Sequence, residues 1–307
     1  MGCICDKVDV EADGHQYRIA KQIATGYLGL SVFPSVYFFF RGFSQIMLVE
    51  DVRTNQKFAM KRINCHSDEE IDRTKMEIDV HRKFGSHPNI MSLVGSVYEE
   101  GVNGWRFMLI FPYYKHGNLQ EMLTERRATR KFLDEATVMN YFRQIVSAVR
   151  VLHEAKIMHR DLKPANVLLA EEDQVILMDF GSCTSSPIRI DSERKSRRII
   201  DDAAEHCSMP YRAPELFTCM TGTVVNEKVD IWSLGCILYA LCFFRSPFDD
   251  IYERGDSIAL AAQSGRITFE DDTPYDSTTH NLIKDLVSVN PADRPSISQI
   301  EDRIGSS

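Results

Sequence analysis

Apolar and polar positions alternate along the first third of the chain in short runs. YRIAKQI (17–23), QIMLV (45–49) and KFAMKR (57–62) read as strands, as do 92–98 and 106–111. Between them lies SDEEIDRTKMEIDVHRKF, residues 67–84. Ser67 can cap it, and acidic residues fill its first turn, as a helix start prefers. Beyond residue 113 the period changes from two to about 3.6. Val138, Phe142, Ile145, Val149 and Leu152 line one face of a helix over 135–153. DIWSLGCILYALCFF (230–244) is apolar all round, the pattern of a central buried helix. Residues 277–288 and 296–304 predict two closing helices. The pattern predicts an α+β chain with a β-rich first part and a mostly helical remainder, joined at YYKHGN (113–118).

One stretch breaks this pattern. Residues 27–40 hold Tyr27, Phe33, Tyr37 and Phe38–Phe40, with Pro34 in the middle. The run is shorter than the ~20 residues a membrane helix needs. Three accounts remain open: an unspliced intron, an insertion at a loop tip, and a finger that dips into a membrane. Phe codons are T-rich, Arg41 can be encoded AGG, and Gly26–Tyr27 can carry a GT. Residues 27–41 thus have the marks of an intron that keeps the reading frame.

Composition narrows the class. The chain has 307 residues and a net charge of −8, which disfavours nucleic acid as a partner. Its eight cysteines form no C-x-x-C pair. They give neither a zinc framework nor a redox centre, and with no secretory signal they suggest a reducing compartment. The N-terminus, MGCICD, offers Gly2 for myristoylation and Cys3 and Cys5 for palmitoylation. Asp6 stands where that motif has Ser or Thr. One acyl chain anchors only marginally, and no basic cluster follows, so the two thiols are the available second signal.

The chemistry concentrates in HRDLKPANVLL, 159–169, and VILMDFGS, 175–182. Asp161 can accept a proton from a hydroxyl. Lys163 can lie over a phosphoryl group. Asn166 and Asp179 can supply oxygens to a metal ion. Phosphoryl transfer needs this set: in-line positioning, charge neutralisation and a group that orients the nucleophile.

HRDLKPAN, DFG (179–181) and APE (213–215), in this order, resemble the protein-kinase signature set over residues 17–303. The resemblance implies the bilobal eukaryotic protein kinase fold, with an N-lobe over 17–112 and a C-lobe over 113–303. It implies ATP with Mg²⁺, Mn²⁺ being an alternative, and protein substrates. Lys61 of FAMKR would hold the α- and β-phosphates and pair with Glu77. Tyr113 and Tyr114 would lie in the hinge by the adenine, with Phe111 at the back of its pocket. His159 and Arg160 would be scaffold residues of the loop. Asp230 would tie down its backbone, and Glu215 would pair with Arg294. Lys163 and Ser208 imply Ser/Thr rather than Tyr as acceptor.

The glycine-rich loop is split. Without 27–41 the chain reads IATGGFSQIML, and the resemblance then places Ala24, Gly26, Gly42 and Ser44 over the phosphates, Ala24 being a departure. Ile199, Ile200, Ala203 and Ala204 suggest one apolar face of a short helix within the segment 182–212. The competing reading is a disordered loop whose phosphate, on Ser182, Thr184, Ser185, Ser186, Ser192 or Ser196, would meet Arg160. That helix, HPNIMSLVG, YRAPELF, DIWSLGCILYAL and GDSIALA resemble the Numb-associated kinase family and its small acylated members. This implies a monomeric kinase on Golgi, trans-Golgi or plasma membranes and in the cytosol, with residues 1–16 as the acylated segment. A pseudokinase scaffold, its phosphate cover blocked by the insertion, is the alternative.

Overall fold

The structure is a computed structural model that describes residues 8–25, 44–101, 104–270 and 272–305, with the backbone alone at 24 and 25. Gly2, Cys3, Cys5, Gly26, Gly42 and 27–41, given roles by the sequence, lie outside the described residues. Two compact units divide the chain between His116 and Gly117.

The first unit is one antiparallel sheet with one helix. Its strands are β1 (Val10–Ala12), β2 (His15–Thr25), β3 (Ser44–Asp51), β4 (Lys57–Cys65), β5 (Gly95–Gly101) and β6 (Gly104–Pro112), in the order β1-β2-β3-β4-β6-β5. The sheet starts before residue 17, where the sequence pattern placed its beginning. Asp13 and Gly14 both take positive φ (48° and 80°), the geometry of a two-residue hairpin turn. That turn folds Val10–Ala12 back onto β2. The Asp13 carboxylate then accepts the Ser96 N–H at 3.1 Å, so the two edges of the curled sheet approach each other. Tyr17, Met47, Val49, Met60, Met108 and Ile110 fill the core. Strand β5 begins at Gly95, three residues later than the sequence pattern suggests. The preceding Ile90 and Met91 are nonetheless buried, and the Met91 carbonyl bonds to the His81 ring.

Helix α1 (Asp68–Phe84) has the capping box that its sequence promises. Ser67 Oγ accepts the Glu70 N–H, and Glu70 returns a bond to the Ser67 N–H at 3.1 Å. Asp68, Glu69 and Glu70 in its first turn and His81, Arg82 and Lys83 in its last complement the helix dipole at both ends.

The second unit is built on helices α2 (Leu119–Thr129), α3 (Glu135–Glu154) and, further along, α5 (Lys228–Phe243). Helix α2 escapes the sequence pattern because it buries only Leu119 and Leu123; an Asn118–Glu121 capping box starts it. All five apolar residues picked out on α3 are buried. Every residue of α5 from Val229 to Phe243 is buried. Gly235 on it is required by a close approach: a Cβ there would sit 2.7 Å from Leu286 Cβ and Val287 Cγ1. Helix α6 (Ser277–Leu286) supplies that neighbour. Helix α7 (Ile297–Gly305) is held to α3 by Arg150, 3.0 Å from Glu301.

Short strand pairs place the loops between α3 and α5. These are β7 (Ile157–Met158) with β10 (Thr184–Ser185), β8 (Val167–Leu169) with β9 (Val175–Leu177), and β11 (Ile188–Arg189) with β12 (Val224–Val225). Helix α4 (Glu193–His206) lies between β11 and β12 in sequence. It starts earlier than residue 199 because Ser192 caps it, accepting the Lys195 N–H. Its inward face overlaps the one the sequence suggests: Ala203 is buried and Ile199 and Ile200 are half-buried, but Ala204 is exposed and Ser196 is buried in addition. Among the described residues all six cysteines are free and buried, and no helix is long and apolar enough to cross a membrane.

Candidate active site

In the first unit, Lys61 and Glu77 meet. Lys61 sits on β4 between Ile46 of β3 and Leu109 of β6, in the middle of the sheet. Its Nζ lies 2.7 Å from Glu77 Oε1, and Glu77 on α1 is 2% exposed. A buried carboxylate needs such a partner. His81, one turn later, meets the buried Phe111 ring near the end of β6 at 4.7 Å, the two rings tilted by 51°. Tyr113 just beyond is exposed and Tyr114 half-buried, and burial raises the Tyr114 phenol above its ordinary pKa. Ser44 is the first residue of β3, opposite Ile63, and Ala24 pairs through its backbone with Ile46.

In the second unit, the 159–166 loop hangs from α5. The Asp230 carboxylate, with no exposed surface, accepts the His159 and Arg160 backbone N–H groups at 2.8 Å each, and His153 Nε2 at 2.8 Å. Burial alone would push the Asp230 carboxyl up. The bond and charge of His153, with the Arg160 N–H, hold it below the usual carboxylate range instead. His153 has no cue in the sequence beyond its place in the last turn of α3. His159 is fully buried, and that burial depresses its pKa against the pull of Asp230, Asp161 and Asp179. A neutral scaffold imidazole results. The ring meets buried Phe180 edge-on at 5.4 Å.

Asp161 and Lys163 are then fixed together. Asp161 Oδ1 accepts the Ser208 N–H at 2.8 Å. Its Oδ2 lies 2.8 Å from Lys163 Nζ, and Lys163 Nζ donates to Ser208 Oγ at 2.6 Å. Asn166 Nδ2 donates to the Asp161 carbonyl at 2.8 Å and to Asp161 Oδ2 at 3.2 Å. With its amide nitrogen so engaged, the Asn166 side-chain oxygen, Oδ1, is left to act as a ligand. The β8–β9 hairpin places Asp179 relative to it: Val167 pairs with Leu177, and Met178 N–H donates to the Asn166 backbone carbonyl at 3.0 Å. Arg160 and Asp179 both hold positive φ (69° and 62°), a strained backbone that clusters at functional sites.

These residues suit a divalent ion of the hard, oxygen-seeking kind. Magnesium is usually held by one or two protein oxygens and completed by phosphates. The described residues contain no cluster of three His, Cys, Asp or Glu, so a self-sufficient protein cage is not what they form.

Two ion pairs hold the segment that carries Ser208, one on each side of it. Glu215 and Arg294 form a two-point pair, at 2.7 and 2.8 Å. Arg160 reaches a partner with no signal in the sequence. Its Nη2 lies 2.5 Å from Asp202 Oδ2, on α4.

A sheet-plus-helix first unit, a helical second unit and a paired Asp161–Lys163–Ser208 set define a protein kinase. The chain belongs to the protein kinase family: residues 42–303 match the protein kinase domain. It is similar to serine/threonine-protein kinase 16 of Homo sapiens, 33% identical over 303 residues, which covers 97% of this chain and 94% of that protein. Serine/threonine-protein kinase ppk13 of Schizosaccharomyces pombe is 27% identical over 326 residues, covering 95% of this chain and 90% of that one. Serine/threonine-protein kinase ENV7 of Saccharomyces cerevisiae is 25% identical over 348 residues, covering 97% and 94%. The chain is accordingly a serine/threonine protein kinase, and the domain implies use of ATP and a divalent metal.

Proposed function

We propose that this chain transfers the γ-phosphoryl group of ATP to Ser or Thr hydroxyls of proteins and of itself, with Mg²⁺ as the metal. The observation that carries the reading is the closed set Asp161–Lys163–Ser208. The acceptor oxygen bonds to the γ-phosphorus as the bond to ADP breaks, and Asp161 takes the hydroxyl proton. Lys163 places its positive charge beside Asp161, where charge on the phosphoryl oxygens needs balancing. Asn166 and Asp179 would hold the metal, which neutralises phosphate charge. Lys61, kept in place by Glu77, would bind the α- and β-phosphates.

The same reading extends to the membrane. Acylation at Gly2, Cys3 and Cys5 would hold the kinase on the cytoplasmic face of Golgi, trans-Golgi or plasma membranes, in secretory or endocytic trafficking. It would be a monomeric member of the Numb-associated kinase family. The support is the MGCIC sequence and the helix α4 between DFG and APE. A Gly2→Ala chain expressed in cells is expected to move from the membrane pellet to the soluble fraction. Unchanged partition would remove the acylation reading.

The β2–β3 pairing supports treating 27–41 as extra. It continues to Thr25 opposite Gln45. Without 27–41, only Gly26, Gly42 and Phe43 would join these strand ends, a normal hairpin length. The match to the family also begins at residue 42. Transfer of labelled phosphate from ATP to Ser or Thr is therefore the first test, with the whole chain and the chain lacking 27–41 side by side. The shortened chain is expected to be at least as active as the whole one. Activity in neither, with nucleotide binding intact, would favour a scaffold. Transcripts that always carry these codons would rule out the intron.

A further inference from the structure

The segment between DFG and APE is ordered by bonds that involve no phosphate. Thr184 and Ser185 pair with Met158 and Ile157, and Ile188 and Arg189 pair with Val225 and Val224. Three of its hydroxyls are already engaged and buried. Ser182 Oγ donates to the His206 carbonyl at 2.8 Å, Ser186 Oγ to Glu227 at 2.6 Å, and Ser196 Oγ to the Cys219 carbonyl at 2.5 Å. None of the three can be phosphorylated without leaving its place.

Arg160 decides what this order is for. It precedes Asp161, and its side chain is only 4% exposed. A buried guanidinium needs an anion, because an unpaired charge is costly to take out of water. In many segments of this kind a phosphate would have to supply it, carrying about −1.5 to −2 charges. Here the anion is the Asp202 carboxylate. One oxygen meets Arg160 Nη2 at 2.5 Å, and the other lies 3.3 Å from His206 Nδ1, one turn on. Asp201 beside it is exposed. The phase of α4, set by the Ser192 cap, the Ser196 anchor and buried Ala203, turns 202 inward and 201 outward.

We propose that Asp202 is a positioning residue for the transfer reaction. It holds Arg160 from α4 and so fixes the loop that carries Asp161, without phosphorylation of the segment. This rests on the kinase reading above. It carries that reading further, because it identifies which charge makes the site competent. Phosphate on exposed Ser185 or Ser192, or on Thr184, would find Arg160 already paired.

The test uses the full chain, treated with phosphatase and shown by intact mass to carry no phosphate. Initial rates give kcat and KM for ATP and for a Ser/Thr protein substrate. The dephosphorylated wild type is expected to keep its full kcat. Asp202→Asn is isosteric and should lower kcat about 10- to 100-fold, the loss of one charge-assisted contact, with KM for ATP changed less than about twofold. Asp202→Glu should restore most of the rate, and Asp201→Asn should match wild type. Hydrogen exchange should quicken over 193–206 in Asp202→Asn, a readout that does not need turnover. In an Arg160→Met background, Asp202→Asn should cost little more.

Asp202→Asn within twofold of wild type in kcat, with unchanged exchange, overturns the proposal. So does a wild type that needs phosphate on the segment for activity, although the kinase reading then stands. A wild type inactive both with and without phosphate removes both readings.

Discussion

Asp161→Asn is expected to lower kcat by about 10²- to 10⁴-fold, the range for loss of a positioned general base. Asn keeps the size and one oxygen, so the 2.8 Å bond from the Ser208 N–H can persist. What disappears is the anionic acceptor for the hydroxyl proton and the counter-charge 2.8 Å from Lys163. Lys163 retains Ser208 Oγ, so the loop keeps most of its bonds. Nucleotide binding should survive, because Lys61 and Glu77 lie in the other unit and are untouched. The check is kcat with labelled ATP, beside the melting-temperature rise that ATP and Mg²⁺ produce. A variant within tenfold of wild type would show that Asp161 is not the proton acceptor. A variant that no longer binds nucleotide would show that the residue acts structurally.

Arg294→Ala should cost about 3–5 kcal/mol of stability, the range for breaking a buried charge pair. The guanidinium has no exposed surface. It pairs at two points with Glu215 and donates to the carbonyls of Ser288, Lys228 and Val289 at 2.7, 2.7 and 3.1 Å. Its face also lies 5.2 Å from the centre of the Trp232 ring on α5. Removing it strands three carbonyls and a carboxylate at once, and opens space beside the central helix. Lysine cannot repair this, since a single ammonium does not reproduce the planar fork. Glu215→Gln should cost less: Glu215 is 19% exposed and its neutral amide can still accept one bond. Urea unfolding followed by tryptophan fluorescence would rank the three. A loss below about 1 kcal/mol for Arg294→Ala, the scale of a surface pair, would refute the argument.

The helices with the clearest one-sided or all-round apolar pattern were legible in advance, and they are the ones that bury most. Helix α3 and helix α5 depend on many residues each, so a single exception does not blur the pattern. Strand β1 is three residues long, and a pattern that short carries no period. It is held by the Asp13–Gly14 turn and by Asp13 reaching Ser96, far off in sequence. Helix α2 buries two residues and otherwise reads as a charged surface. The extent of α4, and the places of Ser196 and Ala204 on it, escape the sequence pattern for a related reason. Its inward positions include Ser196, whose polarity hides it until Cys219 supplies an acceptor.

By itself the sequence determined which residues are available for phosphoryl transfer, because Asp161, Lys163, Asn166 and Asp179 lie on short loops whose spacing carries the chemistry. It also determined that Lys61 has an acidic helix to pair with, and that the first part of the chain is mostly β. Only the tertiary structure decided who meets whom. Asp230 reaches the 159–160 amides across about seventy residues of chain, Arg294 reaches Glu215 across 79, and Arg160 chooses Asp202 over its identical neighbour Asp201. The physical reason is one of range. Local spacing sets backbone conformation and the supply of functional groups. The pairing of a buried charge is settled by which partner the packed helices bring within contact, and a one-residue change of helical phase is enough to reverse that choice.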